Sequence, residues 1–322
     1  MTEAIHRAAL PQLGSHTFLT DGGIETDLIF NRGIELPAFA SFVLLKDAEG
    51  QAALRSYYEP YVKLARHGGM GFVLESPTWR ANPRWAREVG YDLDEMDRMN
   101  REAIRLLEAI RNEAGEGPPI VISGCIGPSD DGYAPETVLS TAEAEDYHSR
   151  QIETFANTAA DMVTAITMTY AEEAIGIARA AAASGIPSAI SFTVETDARL
   201  PSGQSLAEAI REVESETSGA PAYYMLNCAH PSHFDFALNE LDEGQRARIR
   251  GLRANASRMS HVELDEAPEL DIGDPPDLGK RYLALRAELP NLCILGGCCG
   301  TDLRHVTAIR DAWVQAQPAP VR

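Results

Sequence analysis

Eight short apolar runs of strand length, spread over all 322 residues, constrain this chain more than any other feature. They cover residues 17–20, 71–75, 120–124, 162–166, 189–194, 223–228, 250–254 and 292–297. Such runs suit strands buried on both faces. Helix patterns separate most of them. Ser140-Thr141-Ala142-Glu143 and Ser205-Leu206-Ala207-Glu208 both have the form of a capping box, a Ser and a Glu that satisfy the free amides at a helix start. The first opens a helix running towards Ala160. Met96, Met99, Ala103, Leu106, Leu107 and Ile110 recur at helical period and mark a face packed on a core. Residues 171–184 form an alanine-rich segment stopped by Gly185, with Pro187 soon after. Thr301 is suited to cap a last helix through Trp313 to about residue 315. Eight strands alternating with helices predict an α/β chain folded as a (β/α)8 TIM barrel. No compositional break or Pro/Gly/Ser linker interrupts the pattern, so residues 1–322 read as one domain. The longest irregular stretch, 255–279, is rich in Asp, Glu and Pro and follows the seventh strand. In a barrel it would wall or cover the catalytic end.

The charge balance, 48 acidic against 28 basic residues for a net −20, argues against the basic face that nucleic acid requires and against docking on an anionic membrane. It suits solubility first, and attraction of a cationic substrate second. No apolar run reaches the length of a membrane span. Residues 1–15 lack the apolar core of a secretory signal, and five cysteines make no disulfide framework. A cytoplasmic protein, monomeric or a small homo-oligomer, is the expectation.

Chemistry concentrates at three strand ends. Cys228 closes the run Tyr223-Tyr224-Met225-Leu226-Asn227, and Cys298 and Cys299 close the last strand within Gly296-Gly297-Cys298-Cys299-Gly300. In a barrel all strand C-termini meet on one face, so three thiolates from the sixth and eighth strands can converge on one Zn²⁺ and leave its fourth position for a substrate. His230 is an alternative ligand, read here as a loop residue because three cysteines already serve. A three-thiolate site carries net charge −1 and polarises carbonyls poorly. It still lowers the pKa of an incoming thiol and keeps it nucleophilic, which suits alkyl transfer to sulfur better than hydrolysis. Cys125 and Cys293 read as small buried hydrophobes. At the end of the first strand, Asp21-Gly22-Gly23 starts a turn whose amides can approach a carboxylate.

Together these motifs resemble the zinc-dependent homocysteine S-methyltransferase family, from Asp21, Gly22, Gly23, Thr26 and Asp27 through Asn227-Cys228 to the Gly-Gly-Cys-Cys-Gly run. The resemblance covers almost the whole chain. It implies Zn²⁺ on Cys228, Cys298 and Cys299, with Asp21, Gly22, Gly23, Thr26 and Asn227 against an amino-acid substrate. It also implies homocysteine as the thiol acceptor, an onium methyl donor and methionine as product. One position departs: where the family commonly places a Glu at the end of the fourth strand to pair with the substrate ammonium, this chain has Ile166. Glu195 after the fifth strand, or Glu75 after the second, is the candidate replacement. A different thiol or selenol acceptor is the alternative, and a non-catalytic zinc-binding or thiol-sensing barrel a third reading. For the donor, resemblance favours a sulfonium such as S-methylmethionine, and Trp79, Trp85 and Tyr133 offer aromatic faces to a cation.

Overall fold

The computed structural model describes residues 3–267 and 269–316. Eight strands close into a barrel in chain order, every neighbouring pair parallel. They are β1 (Phe18–Leu19), β2 (Gly71–Glu75), β3 (Ile120–Ile126), β4 (Met162–Met168), β5 (Ser188–Phe192), β6 (Tyr223–Asn227), β7 (Ile249–Ala254) and β8 (Ile294–Gly297). The expected strands are all present, with ends displaced by a few residues. Helices follow the strands and cover the barrel. Both expected capping boxes form, opening Thr141–Ala156 and Leu206–Thr217. The Met96–Ile110 stripe lies buried on Leu93–Ala114.

Each strand divides its side chains between two cores, because alternate residues point to opposite faces. Leu19, Phe72, Leu74, Ile122, Val163, Ile190 and Leu295 join the large cluster between sheet and helices. Phe18, Val73, Val121, Met162, Tyr223, Met225 and Ile294 fill the barrel interior. Gln12 plugs its N-terminal end, donating to Met162 Sδ at 3.1 Å and lying 3.4 Å from Tyr223 Oη. Two residues further along each strand the interior turns polar. Thr20, Glu75, Ser123, Thr164, Ser191, Asn227 and Arg253 form this buried layer. At the eighth strand the layer has Gly296, where a side chain would collide with the Thr20 hydroxyl. This polar layer is the floor of the site.

Two local expectations change. The last helix, Leu303–Gln315, is capped by Asp302 rather than Thr301. Asp302 Oδ1 accepts from the Arg304 amide at 2.9 Å, while the Thr301 hydroxyl turns back to donate to the Cys298 carbonyl at 2.7 Å. The stretch 255–279 is also shorter as irregular chain than its composition suggests. It holds the turn of helix His261–Asp265, and Pro275 and Pro276 begin the helix Pro275–Glu288. Proline is well placed in a first turn, where its missing N–H has no helical partner to lose.

Candidate metal and substrate site

The three cysteines meet. The Sγ atoms of Cys228, Cys298 and Cys299 all lie within 4.8 Å of one another, with Cys228 and Cys299 at 3.6 Å. Local structure explains how. β6 ends because Cys228 turns left-handed, at φ 56°, a conformation that costs a non-glycine residue about 1–2 kcal/mol. Its backbone is pinned: the amide donates to the Arg253 carbonyl at 3.0 Å, and its carbonyl accepts from Asn255 Nδ2 at 2.9 Å and lies 2.6 Å from His261 Nε2. Asn227, fully buried, ties three strand ends together. Its Oδ1 accepts from the Thr167 amide at 2.9 Å and the Ser191 hydroxyl at 2.6 Å, and its Nδ2 donates to Thr167 Oγ1 at 2.7 Å. On the other side, Cys298 N donates to the Ala254 carbonyl at 2.9 Å as β8 ends.

The glycines of the first loop serve close approach between loops. A Cβ on Gly22 would stand 2.6 Å from the Thr301 carbonyl oxygen, and one on Gly23 would stand 2.5 Å from that of Cys298. The Gly23 amide already donates to Thr301 O at 3.0 Å. Thr26 completes the junction, accepting from the Gly300 amide at 3.2 Å. Asp21, Gly22, Gly23 and Thr26 therefore brace the cysteine loop while also lining the cavity above it.

That cavity, about 390 Å³, is bounded by all three cysteines, Asp21, Glu25, Glu75, Ile166, Arg253, Trp79, Arg80 and Tyr133. Tyr133 hangs over the thiols, its Oη 2.9 Å from Cys228 Sγ and 3.4 Å from Cys299 Sγ. Its ring stacks on His261 at 4.0 Å between centroids. His261 Nδ1 lies 2.6 Å from Glu195 Oε1. Glu195 thus anchors the imidazole of the overhanging segment and does not line the cavity. Trp79 lines it, held by Nε1 donating to the Ile166 carbonyl at 3.1 Å. Trp85 packs behind, under the Arg80 guanidinium at 3.7 Å. His230 caps the helix Pro231–Asn239 and stays outside the lining. Cys293 sits at the barrel's closed end, near the Gln12 carbonyl at 3.3 Å, whereas Cys125, though buried, borders the cavity.

Burial governs the charges. Contact with Cys228 and Cys299 pulls the Cys298 thiol well down, assisted by Arg253, and contact with Cys298 and Cys299, together with burial, pushes Cys228 up. Burial raises Glu25 and Glu75 each to about 7. The sequence reading does not single out Glu25; its place two residues after Asp21-Gly22-Gly23 is the available signal. Ser41 Oγ donates to it at 2.7 Å. Asp21 is pushed up by burial and held back by Arg253, whose Nη2 lies 2.8 Å from its Oδ1. Tyr57 Oη donates to its other oxygen at 3.0 Å.

Three soft sulfur donors converging from two strand ends, with one side facing a cavity, fit a thiophilic divalent ion that keeps a position for substrate. Residues 18–313 match the profile of the family described as Homocysteine S-methyltransferase. A search of curated proteins by sequence finds no match. Among solved structures, the chain is similar to the metallated form of the homocysteine methyltransferase MmuM from Escherichia coli. That likeness has 17% identity and a TM-score of 0.74, over 95% of this chain and 99% of that one. The oxidized form of the same protein gives 19% identity and a TM-score of 0.73, over 94% and 98%. The apo form gives 17% and 0.68, over 95% and 100%. At these identities the likeness speaks for the shared barrel, while the profile match spans nearly the whole sequence. The chain belongs to the homocysteine S-methyltransferase family, and so to the methyltransferases.

Proposed function

We propose that this protein transfers a methyl group from a sulfonium or other onium donor, such as S-methylmethionine, to the thiol of homocysteine, giving methionine, with Zn²⁺ held by Cys228, Cys298 and Cys299. The observation that carries this reading is the convergence of the three Sγ atoms on the floor of a cavity, in a chain of this family. A zinc ion there would lower the pKa of an incoming thiol and leave it nucleophilic. In the transfer a new S–CH₃ bond forms on the acceptor as the donor's S–CH₃ bond breaks, and the acceptor's thiol proton is released. The chain's own residues place the reactants. The polar layer closes the cavity from below, and Tyr133 stacked on His261 narrows it from above. Asp131, Asp265, Glu269 and Asp271 ring its mouth, a negative rim that favours a permanently cationic donor. The Trp79 face inside offers that cation a surface it need not hydrogen-bond. Holding both reactants in line supplies much of the rate through proximity.

The test is metal analysis with an activity assay on protein purified under reducing conditions. One zinc per chain, and methyl transfer lost on chelation and restored by zinc, is the expected result. Undiminished transfer by zinc-free protein would overturn the metal assignment. A thiol without an amino group is the second reading, favoured by the apolar Ile166 in the cavity wall. Equal rates with homocysteine and its des-amino analogue would establish it.

A further inference from the structure

Two buried side chains of the polar layer keep unused hydrogen-bonding capacity facing the cavity. Glu75 is 4% exposed, and neither of its carboxylate oxygens has a hydrogen-bond partner among the described residues. The Ser123 and Thr164 hydroxyls beside it are hydrogen-bonded to each other at 2.7 Å. Arg253 is 7% exposed. Its Nε donates to the Gly297 carbonyl and its Nη2 to the Gly22 carbonyl, both at 3.1 Å, and Nη2 pairs with Asp21 Oδ1 at 2.8 Å, but Nη1 has no partner among the described residues. Both residues line the same cavity as the three cysteines. Buried polar atoms left without partners are costly, so the two free Glu75 oxygens and the free Nη1 of Arg253 mark a place prepared for a ligand that carries both a cationic and an anionic group.

Resting on the methyltransferase reading above, we infer that Glu75 and Arg253 together receive the zwitterionic head of the thiol substrate. Glu75 takes its ammonium and Nη1 of Arg253 its carboxylate. The other acidic candidates are each engaged at least in part. Asp21 faces Arg253 and Tyr57, Glu195 holds His261, and one oxygen of Glu25 accepts from Ser41. An ammonium brings three N–H donors to two empty acceptors, which a sulfonium or a quaternary ammonium cannot do. Fixing the head on β2 and β7 lets the side chain of an amino-acid thiol extend towards Cys228, Cys298 and Cys299. It also removes any need for a carboxylate on β4 where Ile166 stands.

The experiment compares wild type with Glu75→Gln on three thiols: homocysteine, the same chain without the amino group, and the same chain without the carboxylate. Binding of L-methionine is measured in parallel by calorimetry. A charged hydrogen bond to a buried partner is worth roughly 10- to 100-fold in affinity. Wild type should lose about that factor in kcat/KM on removal of either head group. Glu75→Gln should lose it for homocysteine and for methionine binding, and not for the des-amino thiol. Equal losses by Glu75→Gln on homocysteine and the des-amino thiol would mean a structural role and overturn the assignment of Glu75. Equal use of homocysteine and the des-carboxy thiol by wild type would overturn that of Arg253. If wild type methylates no thiol from any onium donor, yet Glu75→Gln weakens methionine binding, the reaction reading fails and the head-group site stands.

Discussion

Replacing Glu75 with Gln should make the protein more stable at neutral pH while impairing it. Burial holds this carboxyl at about 7, against 4.5 for the free side chain, with Arg253 offsetting only part of the cost. A raised acid keeps its full contribution to stability below its unfolded pKa and loses it as pH rises through its folded pKa. Between these the folded state binds the extra proton, so stability falls with rising pH. The separation corresponds to about 3 kcal/mol, lost between pH 4.5 and the plateau just above 7. Gln keeps the shape and never ionises, so the variant escapes that loss. With an unfolding entropy of about 2 cal/mol/K per residue, the same energy is a difference of about 4–5 °C in Tm at pH 8. The assay is thermal unfolding of wild type and variant from pH 4.5 to 8, with chelator throughout so that proton-coupled metal release cancels. Glu25 titrates in both proteins and drops out of the difference. The variant's midpoint should match wild type at pH 4.5 and exceed it at pH 8. Parallel curves over the whole range would refute the claim that burial, only partly offset by Arg253, Ser123 and Thr164, sets the ionisation of Glu75.

Cys298→Ala should leave the barrel folded, abolish retention of zinc on dialysis, and cut methyl transfer by at least about a thousandfold. Elemental analysis beside a radiolabelled methyl assay reads both, and full transfer by this variant would end the zinc-thiolate mechanism. Losing a ligand should exceed the roughly 10- to 100-fold cost of losing an outer-shell partner. Glu195→Gln should slow homocysteine and its des-amino analogue equally and speed proteolytic cleavage near 255–274, because Glu195 lies 2.6 Å from His261 and would act through it. A loss confined to homocysteine would contradict that. Gly296→Ala should destabilise by about 1–3 kcal/mol or prevent folding, since its methyl would meet the Thr20 side chain and, at 2.9 Å, the Asp21 carbonyl oxygen. Chemical denaturation measures the difference, and a neutral result would show that Thr20 yields freely.

The barrel was legible because its evidence is repeated: eight apolar runs and the helix caps between them all point to one architecture, so an error at any strand end leaves the answer standing. Cys228, Cys298 and Cys299 were legible for a related reason. Strand termini in this fold meet on one face, so the topology alone brings together residues far apart in sequence. Thr301 shows where such reasoning stops. Thr and Asp are both good caps, and Thr301 loses the role to Asp302 because its hydroxyl is drawn to the Cys298 carbonyl. Only the folded cysteine loop creates that competitor. Glu195 illustrates the same limit. Its place after β5 suggests a ligand contact, and the partner that claims it, His261, arrives from an irregular segment whose path the sequence does not encode by period.

The polar layer is the instructive intermediate case. Read as continuous apolar runs, the strands hide the fact that Val73 and Glu75, Val121 and Ser123, Met162 and Thr164, and Met225 and Asn227 are neighbours on one face. Every second residue of these strands turns from apolar to polar at the same height. That change of character divides a packed plug from a binding floor. The register pairs Val73 with Val121 and Glu75 with Ser123, but Ser123 with Met162, so Ser123 meets Thr164 only through the stagger between β3 and β4. Register was the missing quantity, and it depends on how far each strand is staggered around the closed barrel. Composition carries no trace of that stagger. It follows that the identity of the residue facing the substrate at each strand is fixed by barrel closure, so that a carboxylate absent from β4 at Ile166 has its replacement sought on the other strands around the ring. On β2 that replacement is Glu75, in the layer below Ile166, and across the floor from β7 comes Arg253.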